Sequence, residues 1–174
     1  MQVSGRQPGV THTRPRHSSS GAHAPQSTEC PHPSPMVSQN GVGRLNALFR
    51  DTRAAARLAP ATEYPIIREC HVGSGAGNAL DEVREPLSFK YEAYASWSGA
   101  SGFVPADRIR GDFDKFAADR FIIGSQNEVI DRIEAYGEHT GTDHILLRVQ
   151  WPGLDQKTVV RTLERLGRVV EQLG

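Results

Sequence analysis

Cys70 and His71 stand side by side, and that pairing invites a nucleophile–base reading in which the imidazole takes the thiol proton. The surrounding residues 64–72, YPIIRECHV, read as a strand. Neighbouring side chains in a strand point to opposite faces, so this pair cannot work together. His71 and His144 each lie in or beside a strand, where a lone histidine is more often structural than catalytic. No Ser/His/Asp set shows in the spacing. Gly73, Gly75 and Gly77 follow the strand as a phosphate-cradling loop would. Their spacing is G-x-G-x-G rather than G-x-G-x-x-G, and no Lys–Ser/Thr follows, so a flexible turn is the plainer reading. CPHP at 30–33 offers Cys30 and His32 as metal ligands. A zinc site needs four ligands at defined spacing, and His12, His17 and His23 are only scattered, so no metal is expected.

The chain that must position any such chemistry has 174 residues and a formal net charge of zero, the size of one domain. The charge balance points to neither nucleic acid nor a membrane surface. No apolar run approaches the roughly 20 residues of a membrane-spanning helix, and the N-terminus lacks the apolar centre of a signal peptide. Cys30 and Cys70 sit in unrelated contexts, which suggests reduced thiols and a cytoplasmic home. Residues 1–42 hold Pro, Ser and His in place of core formers. Six of the eleven prolines lie in the first forty residues, where the large aliphatic residues besides Met1 and Met36 are Val3, Val10 and Val37. Such a tract cannot offset its ordering entropy and is expected to be a disordered tail. An Arg-rich targeting peptide would need a helical apolar face, which is missing.

From residue 43 the pattern is strand–helix alternation, which implies an α/β fold with a parallel sheet. Residues 43–58 predict a helix with Leu45, Leu48, Phe49 and Leu58 near helical spacing. Strand 64–72 would show Tyr64, Ile66, Arg68, Cys70 and Val72 on one face. Residues 78–98 predict one helix, or two broken near Pro86, with stripes of Leu80, Val83 and Leu87 and of Tyr91, Tyr94 and Trp97. Core packing explains most of these residues, although aromatic residues at the mouth of a barrel also line pockets. Residues 99–119 read as an irregular, lid-like excursion with a short helix. Phe121–Ile123 is a short apolar run, and Ser125 with Glu128 makes a capping box for the helix that Gly141 ends. Residues 143–149 predict a buried strand. Asp155 caps a last helix with Val159, Leu163, Leu166, Val170 and Leu173 as its apolar stripe.

Four stretches resemble the bacterial-luciferase-like, flavin-dependent monooxygenases. YPIIRECHV resembles a late barrel strand of that family. Lys90, Tyr91, Tyr94 and Trp97 match its K-Y-x-x-Y-x-x-W helix, FIIGSQNEV its I-G-S/T-P-E-E-V turn, and DHILLRVQWPG its last strand and exit loop. Gln126–Asn127 replace the usual Pro–Glu, but Ser125 and Glu128 keep the cap. The resemblance implies a partial (β/α)8 TIM barrel over 43–174, its C-terminal strand–helix units only. About 130 ordered residues stand against the roughly 250 of a complete barrel. It implies FMN or a deazaflavin as cofactor, reduced flavin and a small organic substrate as partners, and oxygen incorporation as the reaction. The flavin-phosphate residues would lie in earlier strands, so neither a catalytic nor a cofactor-binding residue is assigned. By resemblance the substrate pocket takes Tyr91, Tyr94 and Trp97 from the helix. Arg148, Gln150 and Trp151 would stand at the C-terminal end of the last strand, the active face of such barrels.

Two other readings stay open. One is a non-catalytic barrel remnant that forms homo-oligomers through open sheet edges or pairs with a missing N-terminal half. The other is a small α/β module with a phosphate site at Gly73–Gly77.

Overall fold

The computed structural model describes residues 36–75, 77–97 and 106–174. The rest of the expected tail, including Cys30 and His32, lies outside the described residues, as do Phe103 and Val104 and the side chain of Trp97.

Helix α1, Gln39–Ala55, starts under an N-cap at Ser38, whose hydroxyl accepts from the Gly41 amide at 3.2 Å. Residues 39–42 are therefore helical, and a boundary after residue 42 falls within the first turn. The expected apolar face is not the buried one. Leu45 and Leu48 are exposed, while Val42, Asn46 and Arg53 face inward. The reason is a polar lock on a later helix. Asn46 Nδ2 donates to the Thr140 carbonyl at 3.0 Å, and Gly43 lies so close to His139 that an added Cβ would sit 3.1 Å from its carbonyl oxygen. A buried amide with its partner in place outweighs the pull of two leucines at the surface.

Strand β1, Pro65–Val72, is buried at all but Ile67. Helix α2, Arg84–Trp97, runs unbroken, with Pro86 in its first turn, where the missing N–H costs nothing. The expected excursion holds two short helices, α3 at Ala106–Gly111 and α4 at Phe113–Ala118. Strand β2, Ile122–Gly124, leads to α5, Gln126–Thr140. The capping box at Ser125 and Glu128 is present as read, and Gly141 ends the helix at φ 65°, a left-handed turn that suits glycine. Strand β3, His144–Arg148, is followed by α6, Gln156–Leu173, capped by Asp155.

The three strands are parallel in the order β2-β1-β3. A ring of strands joined in chain order would run β1-β2-β3 instead. Here β1 is central, pairing through Cys70–Val72 with β2 and through Pro65–Glu69 with β3. This position corrects the expectation of a buried last strand. As an edge strand β3 is half open to solvent, and Leu146 is exposed. The mixed α/β fold with a parallel sheet is as expected.

Each face of the sheet has its own cover. Ile66, Cys70, Val72 and Ile122 pack with Val42 of α1, Val129 and Tyr136 of α5, and Leu166 and Val169 of α6. The opposite face meets Val83, Leu87 and Tyr91 of the α2 region, and Ile109, Phe113 and Phe116 of α3 and α4. Arg68 is buried on the first face, with no carboxylate partner among the described residues. Its guanidinium donates to Tyr136 Oη at 2.8 Å and to the Val37 carbonyl at 3.0 Å.

Candidate functional site

The residues with chemical potential gather on the α2 side of β1. Strand alternation puts Glu69 and His71 on that face, away from Cys70. Glu69 lies in register with Arg148 on β3, so their side chains share a face. The Glu69 side chain is fully buried. Its Oε1 accepts from Lys90 Nζ at 2.7 Å and from Tyr91 Oη at 2.8 Å. Arg148 Nε donates to both carboxylate oxygens at 3.1 Å, and Arg148 Nη2 adds a further bond to Oε1. A lone carboxylate in this setting would be too costly to bury, and here two cations and a phenol donate to it.

Aromatic rings close the site. Tyr91 stacks at 4.8 Å from Phe121, 5.4 Å from Phe116 and 5.7 Å from Tyr94, centroid to centroid. Lys90 Nζ lies 5.8 Å from the centre of Trp151 and 5.7 Å from those of Tyr91 and Tyr94. Trp151 is buried, and its Nε1 has no hydrogen-bond partner among the described residues. Burial lowers the pKa of Lys90, with Glu69 opposing and Arg148 assisting that shift. Burial, then the charge of Glu69, raises that of Tyr91 far above the usual phenol range. Tyr91 is thus a fixed donor at neutral pH, not a base.

A second polar chain lies farther along β1. His71 Nδ1 is 2.8 Å from Thr162 Oγ1 of α6, and Nε2 is 3.2 Å from Glu82 Oε2. Burial lowers the His71 pKa, against the opposing influence of Glu82, so the ring is neutral at pH 7. With the proton on Nε2, the ring donates to Glu82 and accepts from the Thr162 hydroxyl. Glu82 Oε1 in turn accepts from the Ser74 amide at 2.8 Å and from its hydroxyl at 2.7 Å. Thr162 is buried, so its hydroxyl pins α6 to β1, while the exposed Ser74 hydroxyl is spent as a donor to Glu82. This polar chain also weakens the phosphate reading of Gly73–Gly77. The Ser74 amide such a site would use is already given to a carboxylate, which would repel an anion. Ala76 of that turn lies outside the described residues. Among the described residues, no group of three His, Cys, Asp or Glu could hold a metal.

The sequence-derived pocket residues divide accordingly. Tyr91, Tyr94, Arg148 and Trp151 surround Lys90 and Glu69. Gln150 is exposed beyond the strand, and the side chain of Trp97 is outside the described residues. Sequence reasoning missed Glu69 and left Lys90 as a motif letter. A signal was present, since Glu69 is the one acid within 65–72 and the helix carries Lys90 beside Tyr91. A cavity of about 350 Å³ opens nearby, past the carboxyl ends of β1 and β2. Its lining includes Asn78, Asp114, Phe121, Glu128 and Arg132.

No family model matches the chain, and no curated protein matches it. Solved structures do. The monooxygenase RslO1 from Streptomyces bottropensis is similar at 20% identity and a TM-score of 0.59, over 77% of this chain and 38% of that one. The long-chain alkane monooxygenase LadA gives 14% identity and a TM-score of 0.49, over 78% and 35%. The oxygenating constituent of 3,6-diketocamphane monooxygenase from the CAM plasmid of Pseudomonas putida, in complex with FMN, gives 16% and 0.48, over 76% and 40%. The likeness to RslO1 is one of fold, and this chain spans less than half the length of that protein.

Proposed function

We propose that this chain is the substrate-side part of a luciferase-like, flavin-dependent monooxygenase, an oxidoreductase that puts oxygen into a small organic substrate. The single supporting observation is the fold shared with a monooxygenase. Flavin itself does not fit the described residues. The cavity beside β2 is lined by Glu128 and by Asp114, whose carboxylate is paired with Arg84 at 2.6 Å. Its Arg132 donates to the carbonyls of Ala118 and Phe121 at 3.3 Å, and the Ser125 amide is taken by Glu128 at 2.7 Å. A phosphate dianion there would meet like charge. Flavin would be gripped by polypeptide other than the described residues. The contribution of this chain is then to orient and shelter a substrate with Tyr91, Tyr94, Trp97, Arg148, Gln150 and Trp151. A chimaera that carries residues 36–174 in place of the matching part of RslO1 tests the reading. It is expected to retain added flavin through gel filtration and to consume oxygen with reduced flavin, while this chain alone elutes colourless. A folded chimaera without flavin, or a yellow and active isolated chain, overturns it.

The open outer edge of β3 and the exposed Leu146 favour a second reading, self-association through the sheet. Sedimentation equilibrium distinguishes the two. Concentration-dependent oligomers that bind no flavin support the second reading, and a monomer at all concentrations rejects it.

A further inference from the structure

The Glu69 cluster carries more positive than negative charge. One carboxylate faces two cations, Lys90 and Arg148, and among the described residues no second acid reaches either of them. Lys90 and Glu69 are buried, whereas the Arg148 side chain is one-third exposed. Arg148 uses Nε and Nη2 on Glu69. Next to Lys90 stands the buried indole of Trp151, whose N–H has no acceptor among the described residues. Buried donors of this kind are nearly always satisfied. An uncompensated cation and an unused donor in one place are what a bound anion would remove.

We propose that Arg148, Lys90 and the indole N–H of Trp151 form a binding site for a small organic carboxylate. A single negative charge matches the surplus, whereas a phosphate dianion would reverse it. The walls of the site are the rings of Tyr91, Tyr94 and Trp151, which suit an apolar or aromatic body behind the carboxylate. Entry is from the β3 edge, where Arg148 meets solvent. The site shares its residues with the substrate side of the proposed function and so rests on that reading, but its occupancy needs neither flavin nor oxygen, and a failure of binding is distinguishable from a failure of oxygenation.

Benzoate, its neutral analogue benzamide, and inorganic phosphate are titrated separately into the full chain at constant ionic strength, followed by calorimetry and tryptophan fluorescence. Benzoate is expected to saturate at one site and to bind about tenfold or more tighter than benzamide, as one charge-assisted contact implies. The variant Arg148→Met leaves the Glu69–Lys90 pair neutral and is expected to fold and lose that preference. Trp151→Phe removes the unused donor together with part of the ring and is expected to weaken benzoate more than benzamide, since the charged acceptor makes the stronger bond. Equal binding of benzoate and benzamide, stronger binding of phosphate, or undiminished benzoate binding by both variants overturns the site.

Discussion

Glu69 is the residue on which the α2 face depends, because it neutralises Lys90 and ties β1 to β3 and α2. Glu69→Gln is expected to cost about 3–5 kcal/mol, the usual loss when one member of a buried charge pair is removed. Urea denaturation measures it, and a cost below about 1 kcal/mol would contradict the description of a dry charge pair. Cys70 shows the opposite case. Burial, then Glu69, pushes its thiol up to about 12, so it is expected to resist iodoacetamide in the native protein and to react in urea, as read by peptide mass spectrometry. His71 gives a pH dependence. Its folded pKa lies below the ordinary value of 6.5, so the unfolded chain takes up the proton first. Stability is therefore full above about pH 6.5 and falls as pH drops from there through the folded value. Unfolding free energies at pH 7.5 and 5.5 are expected to differ less in His71→Gln than in the wild type. At this scale the sequence disclosed that Cys70 and His71 cannot cooperate, since alternation alone decides it. It hid Glu69, because a lone acid in a strand is recognised only once Lys90 and Arg148 are brought to it from 21 and 79 residues away.

Among the elements, α5 was the most readable, because its signals are local. Ser125 and Glu128 cap it, and Gly141 stops it. Ser125→Ala is expected to cost about 1 kcal/mol by removing a hydroxyl that satisfies the first turn. A thermal melt with a shift under one degree would show the cap to be idle. Helices α1 and α6 were found, but the inward face of α1 was misjudged and that of α6 was right only at Val159 and Leu166. On α6 the buried residues are Val159, Thr162, Leu166 and Val169, while Leu163 and Val170 are exposed. The helix is phased by Thr162 reaching His71 and by Arg165 donating to the Val72 carbonyl at 2.7 Å. Apolar spacing alone cannot reveal a phase that two polar contacts set. Strand β3 was likewise located correctly and judged too buried. Its apolar run reads the same at a centre or an edge, and only pairing partners distinguish them.

At the scale of the molecule, exposed large apolar residues occur on α1 and just after it (Leu45, Leu48, Leu58), on α2 (Phe89), on β3 and on α6. Leu146 lies on the outer strand, and Val160, Leu163, Val170 and Leu173 mark one side of α6. If the sheet associates through β3, Leu146→Lys is expected to shift the chain toward monomer in sedimentation equilibrium without loss of helical circular dichroism, since edge charges oppose strand pairing. The α/β class and the parallel strands were readable from alternation. The order of the strands was not, because no local signal says which neighbour a strand will choose. That order has a kinetic corollary. The five residue pairs between β1 and β3 occupy an edge that a chain-ordered ring would assign elsewhere. Were these strands to join a chain-ordered ring, ring and sheet would be rival claims on the same amide and carbonyl groups. Conversion of one into the other must first unzip that ladder and pull the guanidinium of Arg148 off its carboxylate, so exchange between the two would be slow and would quicken when that contact is weakened.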